Sequence, residues 1–163
     1  MAQREICIYP DDVLRQKTIP VTEFSRTLHT LLDDMRETMY AAHGVGLAAP
    51  QIGELVRVTV IDVSDSGNEP VEFINPVITA REGNVSSEEG CLSIPDFRET
   101  ITRFERVTVD AVDRHGAPFQ VDAEGLLAIC LQHEIDHLEG ILFIDHLSRL
   151  KRDMFKKKWG KRT

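Results

Sequence analysis

The segment from Gly125 to Gly140 constrains the fold of this chain more than any other part of the sequence. Its apolar residues continue around nearly the whole circumference of a helix, which predicts that the helix is buried. The same segment contains His133, Glu134 and His137 in the order His-Glu-x-x-His. Because buried imidazoles and carboxylates are costly unless they have partners, the chain must build a polar site around this helix.

Length and composition indicate one globular domain. The chain has 163 residues, of which 42% are hydrophobic and 28% charged, and this length can bury a core without disulfides. No apolar run approaches the roughly 20 residues that a membrane-spanning helix needs, and the first residues lack the apolar core of a secretory signal. Three widely spaced cysteines favour free thiols in a reducing, cytoplasmic compartment.

Hydrophobic periodicity predicts an α+β fold of mostly antiparallel sheets around the buried helix, with flanking N- and C-terminal helices. Helical spacing of apolar residues predicts a helix over about 25–42. Alternating patterns predict strands at 56–62 and 71–79, followed by further short strands up to residue 123. The intervening segment 44–53, GVGLAAPQIG, is predicted to be a loop.

Charge is distributed unevenly along the chain. Residues 149–163 carry a net charge of +7, whereas residues 1–148 carry −15. The acidic body is not typical of a nucleic-acid binder, and we expect a monomer with no DNA or membrane partner. The basic tail, 149–163, is predicted to belong to the same domain as the body, 1–148. Its expected amphipathic helix has an apolar side formed by Leu147, Leu150, Met154 and Phe155.

The His-Glu-x-x-His motif predicts a metal site. Residues four apart on a helix lie one above the other, so His133 and His137 can occupy neighbouring corners of one metal ion. Glu134 projects about 100° away around the helix axis. It can therefore contact a water molecule on that ion without being a ligand.

A catalytic metal site needs a third protein ligand. A metzincin has a third histidine after the motif, but Phe143 stands at that position here. The other downstream candidates are Asp145, Asp153 and His146. We favour Cys91 upstream, because its segment EEGCLSIP gives no reason to bury a lone thiol.

The segment Gly44–Gln51 matches the pattern G-x-G-x-x-A of dinucleotide-binding loops, but the context is wrong. That fingerprint follows a strand and begins a helix, whereas this segment follows a predicted helix and contains Pro50. Glycines also allow close approach of the backbone to a ligand. Gln51 then provides an amide that can reach into such a site.

Three segments together resemble the motifs of the bacterial peptide deformylase family: Gly44–Gln51, Glu89–Ser93 and Gln132–His137. The resemblance extends over essentially the whole chain, and the segment after Gly140 is similar to the type with a C-terminal helix. It implies a catalytic body that removes the N-formyl group from the N-terminal formyl-methionine of newly made polypeptides and releases formate.

The resemblance also implies a ligand set and a cofactor. One divalent ion per chain is expected, bound by Cys91, His133 and His137, with Glu134 as a catalytic residue. The expected ion is Fe²⁺, which Zn²⁺, Ni²⁺ or Co²⁺ can replace.

The same resemblance implies how the substrate is held. The side-chain amide of Gln51 and the backbone N–H of Leu92 are expected to bind the formyl oxygen. The expected substrate-binding residues are Val45, Gly46, Glu89, Gly90, Arg98, Leu126, Ile129 and Cys130. Because the nascent substrate emerges at the ribosome, we expect the basic tail to bind the phosphate-rich ribosomal surface.

Two other classes of protein compete with this interpretation. A zinc endopeptidase is supported by the His-Glu-x-x-His motif alone, but the sequence offers it no convincing downstream ligand. A non-catalytic protein with a structural metal would need a fourth protein ligand and would have no use for Glu134.

Overall fold

In the computed structural model of this protein, residues 2–161 are described, and they form an α+β fold as predicted. The α-helices are α1 (Arg26–Ala41), α2 (Gly125–Leu138) and α3 (Arg149–Gly160). The strands are β1 (Gly46–Ala48), β2 (Val58–Ile61), β3 (Val71–Glu82), β4 (Val85–Cys91), β5 (Ile94–Arg103), β6 (Arg106–Val112) and β7 (Pro118–Glu124). Short 3-10 helices span Asp12–Arg15, Ala49–Ile52 and Phe143–His146.

The strands form two antiparallel sheets, which confirms the predicted sheet type. Five strands pair in the order β1-β2-β3-β6-β7, and β4 and β5 form a separate hairpin. Cys91 lies at the end of this hairpin and pairs with Ile94. The hairpin therefore presents the Cys91 side chain next to a tight turn, where neighbouring elements determine its position.

Helix α2 packs on the five-stranded sheet, and its predicted burial is confirmed from Ala128 onwards. Leu131 and Ile135 pack in one core cluster with Phe73 and Val109 of the sheet. The polar motif residues of this helix are buried as well. Gly140 follows the helix with a φ of 76°, and a Cβ there would overlap the backbone of Arg15. The glycine thus allows the chain to turn tightly against the N-terminal segment.

The prediction of a loop over residues 44–53 is wrong in part. Gly46–Ala48 forms strand β1, which pairs antiparallel with β2, and Ala49–Ile52 forms a 3-10 helix. Strand β1 has only three residues and contains a glycine and an alanine, so it lacks the β-branched pattern that identifies a strand. Its structure depends on pairing with β2, which a local pattern does not reveal.

The C-terminal helix is present, but its predicted apolar side is wrong in part. Phe155 and Leu147 are buried in a core cluster, whereas Leu150 and Met154 are 71% and 59% exposed. The partner of Phe155 along the helix is instead Trp159, whose ring centroid lies 5.6 Å away. These two rings pack near the ring of Tyr9, which fixes the side of the helix that faces the body. The last two residues of the predicted tail, 162 and 163, lie outside the described residues.

Replacing the buried ring of Phe155 should destabilise the whole protein. We expect Phe155→Ala to lower the free energy of unfolding by about 3–5 kcal/mol, because it removes a buried ring and leaves a cavity. The neighbouring Met154→Ala should change it by no more than about 0.5 kcal/mol, because that side chain is exposed. Urea unfolding measures both values. Equal effects of the two variants would show that α3 does not belong to the core.

Candidate metal centre

The three predicted metal ligands converge beside helix α2. Cys91 at the end of β4 and His133 and His137 on α2 each offer one ligand atom, and these atoms all lie within 4.8 Å of one another. The Cys91 Sγ atom lies 3.3 Å from His137 Nε2. One thiol and two imidazoles leave a fourth coordination position open, which is typical of catalytic rather than structural metal sites.

Burial and neighbouring groups shift the pKa values of the two imidazoles in opposite directions. Burial is the largest influence on both rings and opposes their charge. On His133, contacts with Cys91 and Glu89 outweigh burial and raise the pKa well above its usual value. On His137, burial and then the charge of His133 hold the pKa well below its usual value. A metal ion would take the place of the proton, because metal ligands must be deprotonated.

The buried carboxylate of Glu89 orients His133. Its Oε1 lies 3.0 Å from His133 Nδ1, a contact that leaves Nε2 free for a metal. Arg103 donates to the same carboxylate from Nε at 2.7 Å and from Nη2 at 2.8 Å. Burial by itself would raise the pKa of Glu89, but Arg103 and then His133 outweigh it and lower the pKa to about 2. The carboxylate therefore stays charged at neutral pH.

Arg103, at the end of β5, is a residue of this site that the sequence patterns did not indicate. Its Nη1 donates to Asp136 Oδ2 at 2.7 Å, and the same oxygen lies 2.9 Å from His146 Nε2. Arg103 therefore links the β4–β5 hairpin to α2 directly beside the ligands. In the strand register Arg103 is opposite Val85, not Glu89, so no strand pattern indicates the ion pair.

Gln51 is buried next to the ligand cluster. Its Oε1 accepts a hydrogen bond from the backbone N–H of Ala48 at 3.0 Å. Its Nε2 lies 3.2 Å from Ser93 Oγ and 3.6 Å from Cys91 Sγ. The amide nitrogen of Gln51 therefore lies on the side of the metal ligands.

Glu134 is buried against strand β1. Its Oε1 is inaccessible and has no hydrogen-bond partner among the residues that the structure describes. Burial is the main cause that raises the pKa of Glu134 to about 7. A Cβ on Gly46 would overlap Glu134 Oε2, so only glycine lets this strand approach the carboxylate so closely. An unpartnered buried oxygen is expected to face a water molecule or a ligand.

The remaining predicted residues differ in how far they are exposed. Val45 and Leu126 are large apolar residues that are 45% and 53% exposed. Leu92 packs on the core cluster that contains α1. Arg98 lies on the exposed side of the hairpin over Gly90, where its Nε donates to Glu88 at 3.1 Å. Two further candidates belong to α2 itself: Ile129 is half-buried and Cys130 is buried. Their roles in substrate binding stay predictions.

Comparison with known proteins identifies the family. The model of the polypeptide deformylase family matches residues 3–153. A peptide deformylase of Alkalilimnicola ehrlichii is 49% identical over 162 residues, covering 99% of this chain and 91% of that protein. One of Acidobacterium capsulatum is 54% identical over 156 residues, covering 94% of this chain and 92% of that protein.

Solved structures of peptide deformylases share the whole fold. The enzyme of Legionella pneumophila is 48% identical with a TM-score of 0.89, covering 99% of this chain and 100% of that chain. The enzyme of Ehrlichia chaffeensis in complex with actinonin is 38% identical with a TM-score of 0.92, covering 100% of both chains.

A cluster of three protein ligands with a buried carboxylate beside it is typical of metal-dependent hydrolases. The chain belongs to the polypeptide deformylase family, whose model spans nearly all of it. The resemblance found in the sequence is therefore confirmed.

Neutralising Glu89 should weaken metal binding more than a neighbouring change does. We expect Glu89→Gln to lower metal affinity about 10–100-fold, because His133 loses the carboxylate that orients it and increases its basicity. Glu88→Gln is the matched control, because Glu88 is the adjacent residue and pairs with the exposed Arg98. Competition with a chelating indicator measures both affinities. Equal affinities would show that Glu89 does not support the ligand.

Proposed function

We propose that this chain is a metal-dependent peptide deformylase that acts on newly made polypeptides. The reaction hydrolyses the amide bond between the formyl group and the N-terminal methionine, giving formate and a free α-amine. The observation that carries this proposal is the convergence of Cys91, His133 and His137 beside the buried Glu134 in a member of this family.

No helix within residues 2–161 is long and apolar enough to cross a membrane.

The side chains fit a divalent ion. Cys91, His133 and His137 would hold it through one sulfur and two nitrogens, a donor set that suits several divalent metals. When bound, such an ion supplies a Lewis acid that lowers the pKa of a coordinated water toward neutrality. The unpartnered Oε1 of Glu134 supports this assignment, because the buried carboxylate then has a water to bind.

Glu134 is proposed as the group that moves the proton. Its Oε1 accepts a proton from the attacking water and later gives it to the leaving amine nitrogen. As the bond between the formyl carbon and this nitrogen breaks, the amine leaves in its neutral form, and the formic acid that is left loses its proton to water to give formate. The close approach of Gly46 to Glu134 supports this role, because a side chain at position 46 would overlap the carboxylate.

Gln51 and Leu92 are proposed to stabilise the formyl oxygen as negative charge develops on it. The Gln51 amide is held in a fixed orientation, and the Leu92 backbone N–H directly follows the ligand Cys91 in the chain. Donors that are already oriented before the reaction stabilise such charge most effectively.

The substrate backbone and side chain are proposed to bind between β1 and the β4–β5 hairpin. Strand β1 is at the edge of its sheet, so the backbone near Gly46 can pair with an extended peptide, as can the backbone of Glu89 and Gly90. The exposed apolar side chains of Val45 and Leu126 favour contact with a methionine side chain. Ile129 and Cys130 complete this proposed pocket, and Arg98 is proposed to lie at its mouth.

We propose Fe²⁺ as the native ion, with Zn²⁺, Ni²⁺ or Co²⁺ able to replace it. The three cysteines of the chain are free thiols, which supports a reducing cytoplasmic compartment. Metal analysis of anaerobically purified protein tests the identity of the ion. The elution volume of the protein in gel filtration at micromolar concentration tests the proposed monomer.

Glu134→Gln should separate catalysis from metal binding. We expect the variant to retain one metal ion per chain but to lose at least about 100-fold in kcat, because general acid–base catalysis contributes typically 10²–10⁴. Formate release from formyl-Met peptides measures the activity of the wild type and the variant. Loss of the metal in the variant would identify Glu134 as a ligand. Cleavage of internal peptide bonds by the wild type without formate release would indicate an endopeptidase.

The basic C-terminal helix is proposed to bind the ribosome. Lys156, Lys157, Lys158 and Lys161 are exposed, whereas Phe155 of the same helix is buried against the body. Clustered lysines bind phosphate-rich surfaces by releasing counterions, and the site of nascent-chain emergence is such a surface. This position would bring the catalytic body close to its substrate.

Charge removal tests this proposal without unfolding the helix. We expect replacement of the four exposed lysines by glutamine to abolish ribosome cosedimentation, and wild-type binding should fall steeply with salt. The control replaces the exposed Lys17 and Arg26 of the body and should bind normally. Activity on short formyl peptides should be unchanged in both. Ribosome binding that is independent of salt, or that survives loss of the lysines, would contradict the proposal.

A further inference from the structure

We infer that Ser93 is a positioning residue that directs the Gln51 amide toward the reacting oxygen. Its side chain is completely buried, and its Oγ lies 3.2 Å from Gln51 Nε2. Ser93 follows the predicted ligand and oxygen-binding residues, Cys91 and Leu92, in the chain. The inference rests on the proposed function, because it explains how one of the proposed catalytic residues is held.

Hydrogen bonds fix the orientation of the Gln51 side-chain amide. Its Oε1 accepts from Ala48 N–H at 3.0 Å, and one Nε2 hydrogen is donated to Ser93 Oγ. Because the amide group is planar, these two bonds determine where the second Nε2 hydrogen points. That direction is toward Cys91 Sγ, 3.6 Å from Nε2, and hence toward the metal ligands.

Ser93 can perform this role because its own position does not depend on Gln51. Its backbone C=O accepts a hydrogen bond from Tyr9 N–H at 2.8 Å, and the Gln51 C=O accepts one from Cys7 N–H at 2.7 Å. The extended segment containing Cys7 and Tyr9 therefore holds both residues at a fixed separation. The hydroxyl adds the last constraint, which selects the orientation of the amide.

Loss of the Ser93 hydroxyl should weaken the stabilisation that Gln51 gives to the formyl oxygen, although the Gln51 side chain is still present. A buried N–H then lacks its acceptor, so the amide can turn away from the oxygen that it must stabilise. We expect Ser93→Ala to lower kcat about tenfold with little change in KM, since one neutral hydrogen bond contributes roughly this factor. Gln51→Ala should lower kcat about 10²–10³-fold, as removal of an oxyanion donor does.

The decisive experiment combines the two substitutions. If Ser93 acts through Gln51, Ser93→Ala lowers kcat for formate release in the wild type but changes it less than about twofold in the Gln51→Ala background. Thr38→Val is the control, because it removes another buried hydroxyl, which lies on α1 and accepts a hydrogen bond from Arg4 N–H. It should leave kcat unchanged. An equal loss in both backgrounds, or no loss in Ser93→Ala, overturns the inference.

A spectroscopic measurement keeps the inference testable if Ser93→Ala does not fold. In the wild type, the two Nε2 protons of Gln51 should resonate apart, and a nuclear Overhauser contact should join only one of them to Ser93 Hβ. Their disappearance in Gln51→Ala assigns these signals. Absence of that contact overturns the role of Ser93 even in an active enzyme. A wild type that shows the contact but releases no formate would instead contradict the proposed function.

Discussion

The buried ion pair between Glu89 and Arg103 is the interaction on which the geometry of the metal centre depends. Removing charges from water costs several kcal/mol per ion, and this cost is offset only by good geometry and further hydrogen bonds. Both conditions are met here, because the guanidinium binds two oxygens of Glu89 and also Asp136, while His133 binds Glu89. The pair thus joins the hairpin that carries Cys91 to the helix that carries both histidines.

Three separate layers of packing converge on this centre. The five-stranded sheet buries the apolar side of α2, and β1 packs against Glu134. The N-terminal segment fixes the backbones of Gln51 and Ser93, and the C-terminal helix packs through Phe155 against the region that contains the hairpin. Residues far apart in the sequence are therefore held in one rigid arrangement. Such rigidity is what oriented donors and a fixed carboxylate require for catalysis.

The features that local patterns encode were predicted from the sequence, and those that depend on distant partners were not. The buried helix with His133 and His137 follows from helical periodicity, and the principal strands follow from alternation. Strand β1, Arg103 and Ser93 were missed or left unassigned because their structure or role arises from contacts across the fold. The apolar side of the C-terminal helix was predicted wrongly in part for a related reason. Trp159, rather than Leu150, packs beside the buried ring of Phe155.

X-ray absorption spectroscopy of zinc-loaded protein shows whether Cys91 and two imidazoles bind one metal ion. We expect one sulfur at about 2.3 Å and two nitrogens at about 2.0–2.1 Å, with a light atom completing the tetrahedron. Cys91→Ser should remove the sulfur contribution. A wild-type spectrum without sulfur, or a sulfur contribution that Cys91→Ser leaves unchanged, would show that Cys91 is not a metal ligand.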